Sequence, residues 1–278
     1  IPANSIVHNA MLAYVEGRAD SFAILDMPDN LNAVAAETYR QDTLGADSKW
    51  GAIYWPHVQV ADPLGAGTRP TVFVPPSGHM AGIFARVDQL PAPDGGVAAT
   101  PAGEGQFGKV VGAVGLRYYA DDRDHDRLNP VGVNVIRKYS RGGPASPGII
   151  VMGGRTLSSD LNFTYIGVRR LLTFIGQSLK AGFRFALFRN NDFRIWGQLT
   201  DLANAFLRNL HAAGQLRGQS AQDAYYVKID GTLNDANAIA LGQLIAEVAV
   251  AAQKPAEFII IRLSQLQTGN ATISEFGA

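Results

Sequence analysis

The sequence predicts an α/β protein in which a mixed β-sheet is flanked by helices. Short apolar runs alternate with helix-period segments: residues 22–25 precede a helical pattern over 34–41, and residues 71–74 precede another over 79–87. With 278 residues, of which 47% are hydrophobic, the chain is large enough to bury a substantial core. Strands that alternate with helices pack as layers, and this is the basis of the predicted class.

The first half of the chain opens with a predicted helix over residues 4–18. Five apolar side chains recur on one face of this helix and are expected to pack inward: Ile6, Val7, Ala10, Met11 and Tyr14. Residues 51–60 read as a strand that Pro56 bends or confines to a sheet edge. Ser77 is the predicted cap of the helix over 79–87. Residues 90–108 are rich in Pro, Gly and Ala and are predicted to form an exposed loop.

Residues 155–188 form the unit around which the second half is organised. A polar loop leads into a helix whose buried face is predicted to carry Val168, Leu171, Leu172 and Ile175. Three basic residues fall between these positions, so the outer face is predicted to be basic: Arg169, Arg170 and Lys180. Gly182 ends the helix, and residues 184–188 are predicted to return along it as a short strand.

The remaining elements follow from pattern and capping. Strands are predicted over residues 131–136, 148–152, 224–229 and 257–263. Asp192, with Asn190 and Asn191 before it, caps a long helix that continues to Gly214. Residues 244–250 are ambiguous, because their composition favours a helix while their alternation fits a strand.

The composition limits the classes of function. The 24 basic and 24 acidic residues cancel, so no global field favours nucleic acid or a membrane. Only 17% of residues are charged, against about 25% in an average soluble domain, and this favours stable contacts between subunits. The chain has no cysteine and no apolar run of about 18 residues. It begins at Ile1-Pro2, which we interpret as a fragment or processed product of a longer protein.

A glycine-rich segment, residues 103–109, matches two phosphate-binding patterns. Both patterns require a preceding strand and a following helix, whereas a Pro-rich loop precedes this segment and Gly112 and Gly115 follow it. A flexible loop is therefore preferred over a nucleotide site.

Other chemistry has no better support. Asp121, Asp122, Asp124 and Asp126 are interpreted as a solvated turn and not as a cation site, and the five histidines show no metal-ligand spacing. Ser77-Gly78-His79 has no assigned acid partner. We predict no cofactor, no metal and no catalysis.

Basic residues are concentrated in one region of this neutral chain. Between positions 161 and 220 eight basic residues face only two acids, Asp192 and Asp201. A solvated helix face explains this excess as well as a complementary acidic partner does. The aromatic residues sit at core spacing, which argues against a platform for stacking bases.

Several blocks in order resemble the phage contractile tail sheath protein family, from about residue 10 to 266. They are FAILDMP (22–28), IYWPHVQVADP (53–63), VPPSGHMAGIFARVD (74–88), GIIVMGGRTLS (148–158), YIGVRRLLTFI (165–175), FRNNDFRIW (188–196), FLRNLHAAGQLRG (206–218) and PAEFIIIRLSQ (255–265). The resemblance implies a structural protein without enzymatic activity, whose subunits stack as hexameric rings around a tail tube and contract to drive the tube through a host envelope. A bacteriocin or type VI-like sheath is the alternative, and a nucleotide-binding enzyme using residues 103–109 is a distant one.

The resemblance also implies an architecture and partners. Residues 1–160 correspond to an α/β core and residues 161–278 to a C-terminal domain facing the tube, with an antiparallel hairpin formed by residues 244–250 and 257–263. Neighbouring arms would add as strands to this hairpin and residues 224–229. The implied partners are other copies, the tail tube, and baseplate and tail terminator proteins, but no nucleic acid and no membrane insertion. The implied location is the virion, after assembly in the bacterial cytoplasm.

Seven residues are predicted to contact the tube or a neighbouring subunit: Arg169, Arg170, Arg208, Arg217, Phe258, Ile260 and Arg262. Two departures from the family pattern stand out. The domains and arm that normally precede this region are absent, and residues 90–109 lack the usual Trp-containing segment.

Overall fold

The structure, a computed structural model, describes residues 2–62, 64, 70–139 and 148–257. Within these residues the helices are α1 (Pro2–Arg18), α2 (Ala33–Thr38), α3 (Ser77–Gln89), α4 (Asp122–Leu128), α5 (Ile166–Gly182), α6 (Phe193–Ala212), α7 (Ala221–Ala224) and α8 (Ala236–Ala240). A π-helix (Tyr39–Leu44) continues α2, and a 3-10 helix (Phe183–Ala186) continues α5. The strands are β1 (Ala23–Asp26), β2 (Gly51–Trp55), β3 (Val58–Ala61), β4 (Thr71–Val74), β5 (Ala113–Leu116), β6 (Val133–Tyr139), β7 (Gly148–Met152), β8 (Tyr225–Lys228) and β9 (Glu247–Val250).

A mixed four-stranded sheet with the order β1-β2-β6-β7 lies at the centre of the first half. β1, β2 and β6 run parallel, with Leu25 opposite Ile53 and Ile53 opposite Val133. β7 runs antiparallel to β6 and places Met152 opposite Val135. The predicted α/β class with a mixed sheet flanked by helices is therefore confirmed.

Both faces of this sheet are covered by other elements. Its strands are therefore largely continuous apolar runs and do not alternate regularly between apolar and polar residues. On one face, Leu25, Ile53 and Val133 pack with buried residues of α1, α2 and α4. On the other face, Tyr54 and Ile136 pack with α3 and with a second sheet. The first half thus has two apolar layers, one on each side of the sheet.

Pro56 divides the strand predicted over residues 51–60 into β2 and β3, which belong to different sheets. The Trp55-Pro56 peptide bond is cis, and β3 then lies in the antiparallel sheet β4-β3-β5. The predicted bend at Pro56 is confirmed, and it is the point at which the chain passes from the central sheet to the second layer.

The second half has its own apolar clusters, built by α5, α6 and the ribbon formed by β8 and β9. Leu171 and Ile175 of α5 pack with Leu207 of α6, while Ile195 and Leu199 pack with Ile229 beyond β8. Asp192 caps α6 as predicted, because its Oδ1 accepts hydrogen bonds from the N–H groups of Arg194 and Ile195 at 3.0 and 3.2 Å. Leu172, predicted as core, is only partly buried.

The predicted orientation of α1 is wrong. The helix buries its other side, with Leu12 and Val15 in the core and His8 against Tyr39. The face expected to pack inward is exposed in the described structure: Ile6, Val7, Ala10, Met11 and Tyr14. Both sides of the helix carry apolar residues, so periodicity alone does not select the side that is buried.

Two further predictions of local structure are wrong. Residues 184–188 are not a strand, since a 3-10 helix follows α5 directly and leaves Phe188 with a φ of +62°. Residues 121–126 are largely exposed, as predicted, but they form the start of α4 and not a turn, and Asp121 and Asp124 form a reciprocal capping box there. Aspartates that cap a helix start are common, and this role explains their spacing.

The segment over residues 90–108 is also not simply an exposed loop. It packs against α5 so closely that a Cβ on Gly167 would lie 2.4 Å from the carbonyl oxygen of Ala98. Ser77 does not cap α3 with its side chain; its own N–H donates to the Asp26 carboxylate at 2.7 Å.

The ambiguous residues 244–250 contain a strand, β9, which pairs antiparallel with β8 and places Val248 opposite Val227. The hairpin partner expected over residues 257–263 lies outside the described residues, except for Glu257. The division into domains at residue 160 remains a prediction.

Candidate functional site

Arg169 does not lie on an outer face, as the sequence predicted. It is 9% exposed, and its guanidinium lies 4.2 Å from the centre of the Trp50 ring and 5.6 Å from that of Phe163. Its Nε donates to Thr173 Oγ1 at 3.2 Å. Burial lowers the pKa of Arg169. Cation–π contacts of this kind stabilise a buried guanidinium charge. The Arg169 side chain thus interacts with residues of its own chain.

Arg170 also interacts within the chain. Its Nη2 lies 2.5 Å from the Asp88 carboxylate, and its guanidinium lies 4.7 Å from the centre of the Phe84 ring. Asp88 and Phe84 both belong to α3, so Arg170 ties α5 to the first half of the molecule. The prediction that Arg169 and Arg170 form an outer basic face is wrong, and their roles in contacts between subunits remain predictions that this geometry does not favour.

Arg208 and Arg217 are exposed, in contrast. Arg208 lies near the end of α6, and Arg217 follows in the loop that leads to α7. Neither forms a salt bridge with an acid among the described residues, although Asp223 lines the same open groove as Arg217. Both side chains are therefore free to meet another molecule. The roles predicted for Phe258, Ile260 and Arg262 fall outside the described residues.

The ribbon of β8 and β9 lies beside Arg217. The N–H of Arg217 donates to the carbonyl of Ala251 at 2.8 Å, which attaches the arginine loop to the end of β9. One side of the ribbon packs on α6 through Val227 and Val248, while Tyr226 is exposed. Within the described part of the chain no third strand pairs with this ribbon.

A second exposed surface was not foreseen from the sequence. At the junction of α5 and α6, four large apolar side chains project into solvent: Phe185, Leu187, Phe188 and Phe193. Four basic residues lie close to them in sequence and are exposed as well: Lys180, Arg184, Arg189 and Arg194. We refer to these eight residues as the aromatic tip. The alternation in FRFALFR resembles a strand, which is why the sequence did not reveal an exposed turn.

The glycine-rich segment 103–109 covers the outer edge of β7. The N–H groups of Gly103 and Val110 donate to the carbonyls of Val151 and Ile149 at 2.8 and 2.9 Å, and the N–H of Val151 donates to Gly108 at 2.9 Å. A Cβ on Gly108 would lie 2.3 Å from the Gly103 carbonyl oxygen. Backbone donors engaged in this way cannot hold a phosphate, and the next element is β5 and not a helix.

A cleft of ≈ 620 Å³ lies between the two halves of the chain. Four charged side chains line it: Arg40, Asp47, Arg155 and Lys254. Arg155 forms a bidentate ion pair with Glu257, which raises the pKa of Arg155. Hydrogen bonds from Ser159 lower the pKa of Asp47, and Arg40 donates to the Leu157 carbonyl at 2.8 Å. These charges serve internal bonds and do not form a nucleophile with a base.

The described residues contain neither a metal-binding group nor a membrane-spanning helix. No three His, Asp or Glu side chains in that part of the chain come together in a group that could hold a metal ion. No helix there combines the length and apolar character needed to cross a bilayer.

Comparisons by sequence alone are negative: the chain matches no protein-family model and no curated protein. Comparison with solved structures is positive. A chain of the anti-feeding prophage baseplate matches with a TM-score of 0.77 and 27% identity over 95% of this chain. A chain of the PVC sheath complex, an extracellular contractile injection system in its contracted state, matches with a TM-score of 0.74 and 31% identity over 88%.

This chain spans 65% and 64% of the lengths of those two chains. A sheath tail protein from Listeria innocua shares the fold, with a TM-score of 0.53 and 12% identity over 89% of this chain and 60% of its own. The resemblance predicted from ordered sequence blocks is thus matched by independent similarity in three dimensions. The chain is therefore similar in structure to the proteins of contractile injection systems, and it shares its fold with a tail sheath protein.

Proposed function

We propose that this chain is part of a structural subunit of a contractile sheath. In this proposal the subunits stack as hexameric rings around a tail tube and contract to drive the tube through a host envelope, without catalysis. The observation that carries the proposal is the match over most of this chain to a protein of a contracted sheath complex. The low content of charged residues, 17%, supports it, because a subunit in a lattice hides much of its surface.

The sheath of an extracellular injection system is favoured over that of a phage tail. The proteins of the anti-feeding prophage and PVC particles are 27% and 31% identical to this chain, whereas the sheath tail protein from Listeria innocua is 12% identical. The proposed location is accordingly a particle of this kind, assembled in the bacterial cytoplasm.

The proposed contacts combine what the family resemblance implies with the exposed groups of the second half. Residues 161–278 would form the domain nearest the tube and residues 1–160 the α/β core. Arms of neighbouring copies would add as strands to the ribbon of β8 and β9, because backbone pairing gives strong contacts to flexible segments. The tail tube, baseplate and terminator proteins complete the set of proposed partners. Arg208 and Arg217 would face an acidic surface of the tube.

Electron microscopy tests the function as a whole. We expect the full-length protein, purified after expression in bacteria and viewed in negative stain, to form tubes with regular cross-striations. Stacked rings of one subunit produce such striations, and an enzyme would not. Monomers that persist at high protein concentration would contradict the proposal.

Charge reversal tests the contact with the tube. Arg208→Glu with Arg217→Glu should reduce co-sedimentation of sheath with tube about tenfold, since like charges placed opposite one another repel. Arg123→Glu, at an exposed position on α4, is the matched control and should leave co-sedimentation unchanged. If the double variant sediments with the tube as well as the control does, the tube contact lies elsewhere, while striated tubes would still support the sheath.

A further inference from the structure

The aromatic tip exposes an unusual amount of apolar surface for one turn of chain. Phe185, Leu187 and Phe193 are 43%, 65% and 72% exposed, and Phe188 is fully exposed. A single exposed apolar residue is ordinary, but four that are close in sequence at one helix junction are typical of an interaction site.

The chain holds these side chains outward rather than leaving them loose. Phe183 and Ala186, which lie on the same side of the 3-10 helix, pack on the cluster of Ile195 and Ile229. The N–H groups of Leu187 and Arg189 donate to carbonyls of the same turn at 3.2 and 3.1 Å. The neighbouring Asn191 bonds to the carbonyl of Gln243 at 2.8 Å and to Trp196 Nε1 at 2.6 Å.

Phe188 itself adopts a φ of +62°, a conformation that residues other than glycine rarely adopt. Its ring points to solvent from this position and gains no internal packing in return. A bulky residue in a strained conformation, with its side chain unburied, is the combination expected where the exposed ring has a role.

The four charged residues of the tip are all basic. Within the described part of the chain, none of the four cations of the tip forms a salt bridge. The nearest acid in sequence, Asp192, is engaged as the cap of α6. Beside the tip lies an apolar groove of ≈ 560 Å³, lined by Phe183, Leu187 and Ala181 and flanked by Lys180 and Arg184.

We propose that the aromatic tip is a docking surface for an acidic protein segment that inserts an apolar side chain into this groove. The cations select an acidic partner, and the apolar groove selects against a ligand that is only charged. A concave groove fits a side chain better than it fits the flat surface of a bilayer.

A second copy of the chain is a poorer fit. The chain as a whole is neutral, and its densest run of acids, residues 121–126, is already committed. Asp121 and Asp124 cap each other's backbone, and Asp122 pairs with Arg137 at 2.7 Å. These bonds make three of the four carboxylates in this run less available to the tip of a neighbour, and the self-association test below covers the fourth, Asp126.

The inference is separate from the contact proposed for Arg208 and Arg217. α6 has 20 residues, so at 1.5 Å per residue it is about 30 Å long. The tip lies at its beginning, whereas Arg208 and Arg217 lie near and beyond its end. Variants at the two places can therefore be tested independently, and failure at one says nothing about assembly or about the other.

The experiment uses the full chain and three fluorescein-labelled peptides of equal length. The first alternates Glu with Leu and Trp, the second replaces Leu and Trp by Ser, and the third replaces Glu by Lys. Fluorescence anisotropy should detect the first peptide with a Kd on the order of 10–100 μM, weakening as salt is raised. The second and third should bind at least tenfold more weakly.

Two double variants separate the contributions of apolar contact and of charge to binding of the first peptide. Phe188→Ser with Phe193→Ser removes apolar side chains, and Arg184→Glu with Arg189→Glu reverses charge; each should weaken binding of the first peptide at least tenfold. Arg123→Glu on α4 is the matched control and should bind as the parent does. Circular dichroism melting curves identify any variant that fails to fold, and the exposed positions make unchanged curves the expected result.

Four outcomes would overturn the proposal. They are no binding of the first peptide, equal binding of the serine peptide, binding of vesicles with 30% phosphatidylglycerol in place of the peptide, and tip-dependent self-association seen by analytical ultracentrifugation. The third would assign the tip to a membrane surface, and the fourth would assign it to a second copy.

Discussion

The side chain of Gln215 joins two parts of the chain that lie more than a hundred residues apart. Its Nε2 donates to the Gly95 carbonyl at 2.7 Å, and its Oε1 accepts from the Ala98 N–H at 3.1 Å. Gln215 is buried, so its amide replaces the water that these backbone groups would otherwise bind. Together with the close packing of Ala98 on Gly167, these two bonds hold the irregular segment 90–108 against the second half of the molecule.

We expect Gln215→Leu to lower the free energy of unfolding by about 2–4 kcal/mol, because it leaves a buried donor and a buried acceptor without partners. Urea denaturation monitored by circular dichroism provides the measurement. Gln219→Leu, at an exposed position four residues away, is the control and should change the free energy by less than about 0.5 kcal/mol. Equal midpoints for the two variants would show that the amide bonds do not hold the segment.

Residue roles were the least predictable part of the molecule. Exposed Arg208 and Arg217 agree with the pattern-based expectation of a basic outer surface, but Arg169 and Arg170 do not. Their partners Trp50 and Asp88 lie 119 and 82 residues earlier in the chain, and no local pattern indicates such pairs. The hydrophobic period located the helix correctly and could not assign its charged residues to partners.

Among the elements, α1 shows the limit of periodicity. The helix has apolar residues on two faces, and its sequence carries no charge before Glu16 to mark which face meets water. Leu12 on the buried face is 4% exposed, while its neighbour Met11 is 39% exposed. Period analysis finds such a helix readily, but the choice of face depends on the surface it meets.

These neighbours form a matched pair for mutagenesis. Leu12→Ala should lower the free energy of unfolding by about 2–5 kcal/mol because it opens a cavity in the core. Met11→Ala should change it by less than about 0.5 kcal/mol, since alanine suits an exposed helix position. Thermal and urea unfolding of both variants compare the effects directly. A larger loss from Met11→Ala would mean that the face predicted from the sequence is the buried one.

Capping and turn chemistry were predictable to different degrees. Asp192 was identified from its side chain alone, because an acid before a long apolar helix is a strong signal. Residues 184–188 were assigned to the wrong class, since a run of five residues satisfies both a strand and a short helical turn. The first residue outside that turn, Phe188, has a left-handed backbone that its side-chain type does not indicate.

For the molecule as a whole, we expect the free energy of unfolding to fall at acidic pH, although the chain is neutral in composition. Burial lowers the pKa of His8, with Asp26 opposing the shift, and burial together with Arg137 lowers that of His125. The unfolded chain takes up protons at these histidines near their ordinary pKa of 6.5, whereas the folded chain resists protonation. Their contribution to stability is therefore complete above pH 7 and is lost as the pH falls below 6.5.

We expect the urea midpoint to be lower at pH 5.0 than at pH 7.5. Asp47, whose pKa is lowered, stays ionised throughout this window and does not obscure the effect. The variant His8→Asn with His125→Asn should show a smaller difference between the two pH values, whatever its absolute stability. A double variant that retains the full difference would assign the acid sensitivity to other groups.

The class of the whole molecule could be predicted from the sequence, because the family resemblance rests on blocks spread over most of the chain. The order of strands in the central sheet was not, since nothing in the sequence states that β1 pairs with β2 or that β7 reverses direction. The resemblance supplied a class of molecule, and the structure supplied the surfaces through which the proposed assembly can be tested.

The segment that pairs with β7 limits the number of strand edges at which the proposed subunit can bind another copy. In a particle that repeats one chain many times, every unpaired strand edge is a site at which a wrong copy can join. Residues 103–110 occupy the outer hydrogen-bonding groups of β7, so no strand of another copy can extend the central sheet there. In the proposed assembly, arms of neighbouring copies would instead pair with the ribbon of β8 and β9, which has no third strand among the described residues.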